Sequence, residues 1–213
     1  HYQCPECQSI FVSPSLSQSY IIQNFYSDKH YPFLDAVNSS IQDKFDIKRF
    51  DDLMPAISHC WEPDANLLDI GCGGGLFLQR CRSLKFNLYG IDCLLSAVKF
   101  AKKKFDISID YSNAFDYLKS SHREYHVITA FEFLDHIVDP KQTLAAISAR
   151  LVQGGIFLMS VRNSLSLAAE ILKEECPMFL GHLHLNFWSP SSLSSSLIDF
   201  GLKIEFMYSY ISY

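Results

Sequence analysis

The stretch Leu67-Leu68-Asp69-Ile70-Gly71-Cys72-Gly73-Gly74-Gly75 decides how this chain reads. Apolar residues flank one acid, then glycines fall at alternate positions. That is a short buried strand running into a glycine loop. Leu76-Phe77-Leu78-Gln79-Arg80-Cys81 continues as the opening of a helix. Strand, loop and helix start together make a site for a nucleotide-like ligand. Glycine lets the backbone approach closely, and the first helical turn has free N–H groups. The spacing selects among ligands. A dinucleotide fold wants G-x-G-x-x-G. Here Gly71, Gly73 and Gly75 give G-x-G-x-G, and Leu76 stands where the third dinucleotide glycine belongs. A glycine triplet alone also fits a tight turn that binds nothing, so the rest of the chain must decide.

Downstream, hydrophobic runs and helical patterns alternate. Strands are expected at about 66–70, 87–92, 107–111, 125–130, 155–161 and 203–210. Helices are expected at about 34–60, 75–84, 94–104, 140–151 and 190–200. Asp139-Pro140 and Ser189-Pro190 are helix-start signals, and Gly201 is a stop. Repeated strand–helix alternation predicts an α/β fold: a Rossmann-like, doubly wound, mostly parallel sheet with helices on both faces. Ligands of such sheets bind at the carboxyl ends of the strands, where the glycine loop and Asp92 both fall.

The 213 residues, 48% of them hydrophobic and with a net charge of −5, suffice for one domain with a sizeable core. No apolar run reaches the ~18 residues of a membrane span. No signal peptide is visible, and the start at His1 leads us to expect a missing N-terminal segment. Seven scattered cysteines, with Cys72 and Cys93 beside the ligand loops, indicate reduced thiols and a cytoplasmic location. The acidic balance argues against a nucleic-acid partner. Lys99, Lys102, Lys103 and Lys104 read as a solvated helix face. The oligomeric state is not legible.

Taken in order, the glycine loop, the strand Asn87-Leu88-Tyr89-Gly90-Ile91-Asp92, the strand Tyr125-His126-Val127-Ile128-Thr129-Ala130, the segment Phe131-Glu132-Phe133-Leu134-Asp135-His136-Ile137 and the run Leu151–Ser160 resemble the class I S-adenosylmethionine-dependent methyltransferases. The likeness is strongest to the branch with quinone-ring O-methyltransferases and small-molecule methyltransferases, and covers roughly residues 20–210. It implies S-adenosylmethionine as cofactor and a small-molecule acceptor methylated on oxygen. The alternative is a catalytically degenerate, cofactor-binding regulatory or partner subunit. The family's sheet ends with a seventh, antiparallel strand. This chain stops after its sixth, so that last strand is expected to be missing.

The resemblance places the methionine part of the cofactor on Asp69 and the loop Gly71, Cys72, Gly73 and Gly75. Asp69 has a second, compatible role, organising that loop by accepting its N–H groups. Asp92 would accept the ribose hydroxyls, or else cap the following helix. Asn113, Ala114 and Phe115 match the adenine loop, with Asn113 where the family often has an acid. Phe131 would flank the cofactor or sit in the core. Glu132, Asp135 and His136 form E-x-x-D-H, similar to an E-x-x-E-H set associated with a divalent metal such as magnesium. Without a metal, His136 is a general base or shapes the pocket. Arg162, Asn163, His182 and His184 are expected to contact the acceptor, beside an apolar segment at 165–180.

The chain divides into a lead-in, 1–31, and a methyltransferase domain, 32–213. The lead-in carries Cys4-Pro5-Glu6-Cys7 and resembles the cysteine-rich ribbon that precedes some methyltransferase domains. Structural zinc needs four ligands, and Cys4 and Cys7 supply two. We therefore expect the remnant of a zinc module completed by an upstream pair, or two unpaired surface thiols.

Overall fold

A computed structural model of the chain describes residues 1–26, 40–59, 62–179 and 184–210. The chain opens with two short strands, β1 (Tyr2–Gln3) and β2 (Ile10–Phe11), and two helices, α1 (Gln18–Asn24) and α2 (Ser40–Ser58). It then alternates through β3 (Asn66–Ile70), α3 (Leu76–Cys81), β4 (Asn87–Asp92), α4 (Leu95–Phe105), β5 (Asp110–Tyr111) and α5 (Ala114–Ser120). The alternation continues with β6 (Tyr125–Phe131), α6 (Pro140–Ser148) and β7 (Leu151–Ser160), then α7 (Leu167–Leu172), β8 (Asn186–Phe187) and α8 (Pro190–Asp199). No described helix is long and apolar enough to cross a membrane.

Five strands form one parallel sheet in the order β5-β4-β3-β6-β7. β3 is the pivot, with β4 on one side and β6 on the other. Strand order therefore reverses between β3 and β6, and the crevice at their carboxyl ends is the expected ligand position of an open α/β sheet. The sheet is buried on both faces. Leu67 and Val127 sit in a core layer with Phe50, Ile57, Phe77 and Leu78. Their chain neighbours Leu68 and Ile128 face the opposite layer, with Ile91, Leu118 and Ile147. The period-two alternation of a strand thus feeds two cores. Each such fully buried side chain stabilises the fold by about 1.5–3 kcal/mol.

The helix starts follow from their sequence. The Asp139 carboxylate accepts from Gln142 N–H at 3.0 Å, and Ser189 Oγ accepts from Ser192 N–H at 3.1 Å. Each precedes a proline, whose missing N–H is one the first turn could not have bonded.

Four features differ from the sequence reading. The stretch 107–111 pairs only at Asp110–Tyr111. Residues 114–120 form α5, a helix not anticipated. Residues 203–210, expected as a sixth strand, join no ladder, and Phe206, Met207 and Tyr208 are exposed. A strand needs a neighbour for its N–H and C=O groups, and no described strand pairs with this segment. Finally, the lead-in forms structure with the far end of the chain. β1, β2 and β8 make an antiparallel sheet in which Ile10 faces Phe187 and Phe11 faces Asn186. Of the expected helix at 34–60, the part 34–39 and Cys60 lie outside the described residues.

Candidate active site

The glycine loop leaves β3 and turns back on β4, where Gly71 and Cys72 N–H both donate to Ile91 O, at 2.9 and 3.1 Å. Gly71 has φ +67, and a Cβ on it would lie 2.7 Å from the Phe133 ring. Only glycine fits there. At Gly90 on β4 a Cβ would meet Leu78 at 2.5 Å and the Cys72 sulfur at 3.0 Å, so β4 must pass close behind the loop.

Asp92, at the end of β4, ties the loop to the next helix. One carboxylate oxygen accepts from Gly73 N–H at 2.8 Å and the other from Leu94 N–H at 2.8 Å. Burial pushes its pKa up, opposed by these bonds. It therefore supports the helix start, and each oxygen keeps a lone pair for a hydroxyl ligand.

Gly71, Gly73, Asp92, Asn113, Ala114 and Phe115 all line one cleft, as the sequence leads one to expect. Others differ in detail. Asp69 is buried and accepts from Thr129 Oγ at 2.7 Å across the β3–β6 boundary, rather than from the loop. Burial raises its pKa to about 7. The Cys72 thiol packs towards Gly90 instead of lining the cleft, and burial holds it well above its usual pKa. Gly75 faces Ala101 and Ile109 at the base of α4. Asn113 caps α5, accepting from Asp116 N–H at 2.9 Å, while its NH₂ donates to the Asp116 carboxylate at 2.6 Å. The Phe131 ring packs between Phe50 and Phe77, at 5.3 and 5.0 Å, and Phe133 walls the cleft instead. The switch between the two phenylalanines occurs at Glu132, whose φ of +49 breaks the strand's alternation.

The turn after β6 brings Glu132 and His136 into the same cleft. Glu132 Oε1 accepts from Ser160 Oγ at 2.9 Å and from Tyr210 OH at 3.0 Å, with Arg49 Nη1 at 3.6 Å. Its other oxygen lies 3.8 Å from Arg162. Asp135 is fully buried, and neither carboxylate oxygen has a hydrogen-bond partner. Its Oδ2 lies 3.7 Å from His136 Nε2, 3.7 Å from Arg162 Nε and 3.8 Å from His184 Nε2. Burial raises the Asp135 pKa to about 6. Burial, then the neighbouring His136 and Arg162, lowers His184 to about 3, so it is neutral at ordinary pH. The His136 and His184 rings lie 4.6 Å apart. Asp135 is thus the shared neighbour of two imidazoles and a guanidinium.

Arg162 and His184 accordingly gather with His136 around Asp135. Asn163 is used locally, accepting from Leu165 N–H at 2.9 Å and donating to Ser209 Oγ at 3.2 Å. His182 lies outside the described residues. The metal set read from sequence is not assembled as such. Glu132 turns to Ser160 and Tyr210, and the donor atoms within 4.8 Å of one another belong to Asp135, His136 and His184. Arg162 presses on the same Asp135 oxygen and opposes a second positive charge there. The residues do not fit a divalent cation well.

Sequence reasoning missed Gln18 and Ile22 on α1 and Tyr26 just beyond it, which reach the cleft. It also missed Arg49, held by Asp46 at 3.0 Å and stacked 5.5 Å from the Phe131 ring centre. An arginine one residue before the buried Phe50 was the available signal. In the lead-in, Cys4 O accepts from Gln8 N–H and Cys4 N–H donates to Ser9 O, both at 2.9 Å, closing a tight turn around the two thiols. Hydrogen bonding, chiefly from the Ser9 backbone, lowers the Cys7 pKa.

Comparison with known proteins fits this geometry. A family model described as a methyltransferase domain matches residues 44–205. The ubiquinone biosynthesis O-methyltransferase of Thiobacillus denitrificans is 31% identical over 151 residues, covering 65% of this chain and 65% of that protein. Its namesake from Colwellia psychrerythraea is 30% identical over 152 residues, covering 66% and 61%. The match thus spans a little under two thirds of the length of these curated relatives. Among solved structures, an S-adenosylmethionine-dependent methyltransferase from Archaeoglobus fulgidus superposes with a TM-score of 0.63 at 23% identity, covering 75% of this chain and 68% of that one. Magnesium protoporphyrin IX methyltransferase from Synechocystis, with bound S-adenosylhomocysteine, gives 0.67 at 14% identity, covering 86% and 89%. These two likenesses concern the fold.

Proposed function

This chain belongs to the class I S-adenosylmethionine-dependent methyltransferases, and we propose that it methylates an oxygen of a small-molecule acceptor. One observation carries the reading. A single cleft at the switch point joins Gly71, Gly73 and Asp92 on one side to Glu132 and His136 on the other. The curated relatives, named as O-methyltransferases, support oxygen as the acceptor atom.

S-adenosylmethionine, when bound, supplies a methyl group already activated on a sulfonium. Gly71 leaves room for the cofactor chain beside Phe133. Asp92 offers lone pairs to ribose hydroxyls, and Ala114 with Phe115 bounds the adenine end. Arg49, paired with Asp46, helps hold the Glu132 carboxylate at the cleft. His136 is placed to take the proton of the acceptor hydroxyl, which the methyl group supplied by the bound cofactor would replace. An Asp135 carboxylate oxygen lies 3.7 Å from His136 Nε2, behind the ring. Most of the remaining acceleration comes from positioning. No metal step is assigned, because Arg162 competes for Asp135.

In the lead-in, the turn at Cys4 and Cys7 suits half of a tetrahedral zinc site, with the lowered Cys7 thiol a ready ligand. Zinc content of the protein, measured with and without chelator, tests that part.

For the main reading, calorimetry with S-adenosylhomocysteine and with NAD comes first, followed by turnover against phenolic, sugar and amine acceptors. Binding of S-adenosylhomocysteine with methylation of a hydroxyl supports it. Tighter binding of NAD contradicts it. Cofactor binding without turnover on any acceptor favours the degenerate-subunit alternative.

A further inference from the structure

The turn that carries His136 is gripped by two segments far from it in sequence. Val138 N–H donates to Gln18 Oε1 at 2.8 Å, and Gln18 belongs to α1. Ile137 O accepts from Asn186 Nδ2 at 2.7 Å, and Asp135 O accepts from Leu185 N–H at 2.6 Å. The bonds fall on residues either side of His136, leaving its imidazole to meet His184 and, edge-on, Tyr26 at 6.0 Å.

The Leu185–Asn186 holder is itself braced. Leu185 O accepts from Val12 N–H at 2.9 Å. β8, which contains Asn186, pairs with β2. Ser9 Oγ accepts from Ser189 N–H at 3.0 Å just beyond β8. The lead-in therefore reaches the turn directly through Gln18 and indirectly through the 185–189 segment that residues 9–12 brace. The backbone that carries the imidazole is a single 3₁₀ turn, Leu134–His136, rather than a long helix or a ladder. A turn held only at its ends would let the ring wander, and a misplacement of an ångström can cost about 10²-fold in rate.

We propose that Gln18 and Asn186 are positioning residues for His136. They fix its turn from opposite sides, so the lead-in takes part in the reaction through α1 and the β2–β8 pairing. The inference rests on His136 being the base. Neither side chain needs to touch the acceptor for this role; each acts through the backbone of the turn.

The test compares near-isosteric variants of the full chain. Gln18→Met removes the acceptor for Val138 N–H, and Gln18→Glu keeps an acceptor oxygen. Asn186→Asp removes the donor to Ile137 O. We expect Gln18→Met and Asn186→Asp each to lower kcat roughly tenfold or more. The thermal midpoint of both variants, and the S-adenosylhomocysteine affinity of Asn186→Asp, which lies outside the cleft lining, should stay close to those of the parent, and Gln18→Glu should recover most of the Gln18→Met loss. A loss of kcat that only tracks falling thermal stability, or no loss at all, overturns the proposal. His136→Ala is the control for the premise. If it keeps full turnover, both the base assignment and this inference fail. If it is crippled while Gln18→Met and Asn186→Asp turn over normally, the inference alone fails.

Discussion

Glu132 and Ser160 hold each other reciprocally: Ser160 Oγ donates to Glu132 Oε1 at 2.9 Å and accepts from Glu132 N–H at 3.0 Å. The pair joins the ends of β6 and β7, and it holds Glu132 in a left-handed conformation that a residue with a Cβ rarely adopts. Such local strain persists only where surrounding contacts over-determine it. Here those contacts keep the Glu132 carboxylate at the cleft.

Ser160→Ala removes both bonds while leaving Glu132 in the strained turn. The expected cost is about 1–3 kcal/mol of stability, since hydrogen bonds to a charged group are lost. Ser160→Thr, which retains the hydroxyl, should lose less. Denaturant unfolding of the three proteins checks this, with equal midpoints as the contrary result.

Asp92→Asn alters the one side chain that bonds both the glycine loop and the start of α4. The amide keeps one acceptor oxygen but places an NH₂ against a backbone N–H. Affinity for S-adenosylhomocysteine should fall by about 1.5–3 kcal/mol, the range for a lost charge-assisted hydrogen bond. Titration calorimetry reads the change, and unaltered affinity would remove Asp92 from the cofactor site.

His184 should make the fold acid-sensitive. Its folded pKa is pushed down to about 3 from 6.5. As pH falls through 6.5 the unfolded chain takes up a proton that the folded chain resists, so stability drops between about 6.5 and 3. Asp135 acts oppositely. With its folded pKa raised to about 6, the folded chain protonates first, and stability rises as pH falls from 6 towards 3.8. His184→Gln removes the first effect and keeps the second. Thermal midpoints measured from pH 7 to pH 4 should then fall less in the variant than in the parent. An identical pH dependence of the two would refute the assignment.

How much of this was legible in sequence depended on distance along the chain. β3, the glycine loop and α3 were readable because their signals are local: buried alternation, positive-φ glycines, a helix pattern. Asp92 and the Glu132–His136 turn followed from being strand ends in an ordered series. Phe131 and Phe133 were harder to tell apart. A strand period alone puts both on one face, and the left-handed Glu132 between them sends one to the core and the other to the cleft. Arg49 and Ser160 acquire their roles only when α2 and β7 pack against β6. The β1–β2–β8 sheet was invisible, since two-residue strands carry no periodicity and their partners lie at opposite ends of the chain. The expectation at 203–210 came from β-type residues without a neighbour to pair with.

The account stands or falls on methyl transfer from the cleft. The direct measurement is turnover of methyl-labelled S-adenosylmethionine against a panel of hydroxylated aromatic acceptors, with the product's methyl position determined and His136→Ala run in parallel. The account predicts label on an acceptor oxygen, and a fall of about 10²–10⁴-fold in kcat for His136→Ala with cofactor affinity retained, the usual contribution of a general base. Label on nitrogen or carbon only, or undiminished oxygen methylation by His136→Ala, would contradict it.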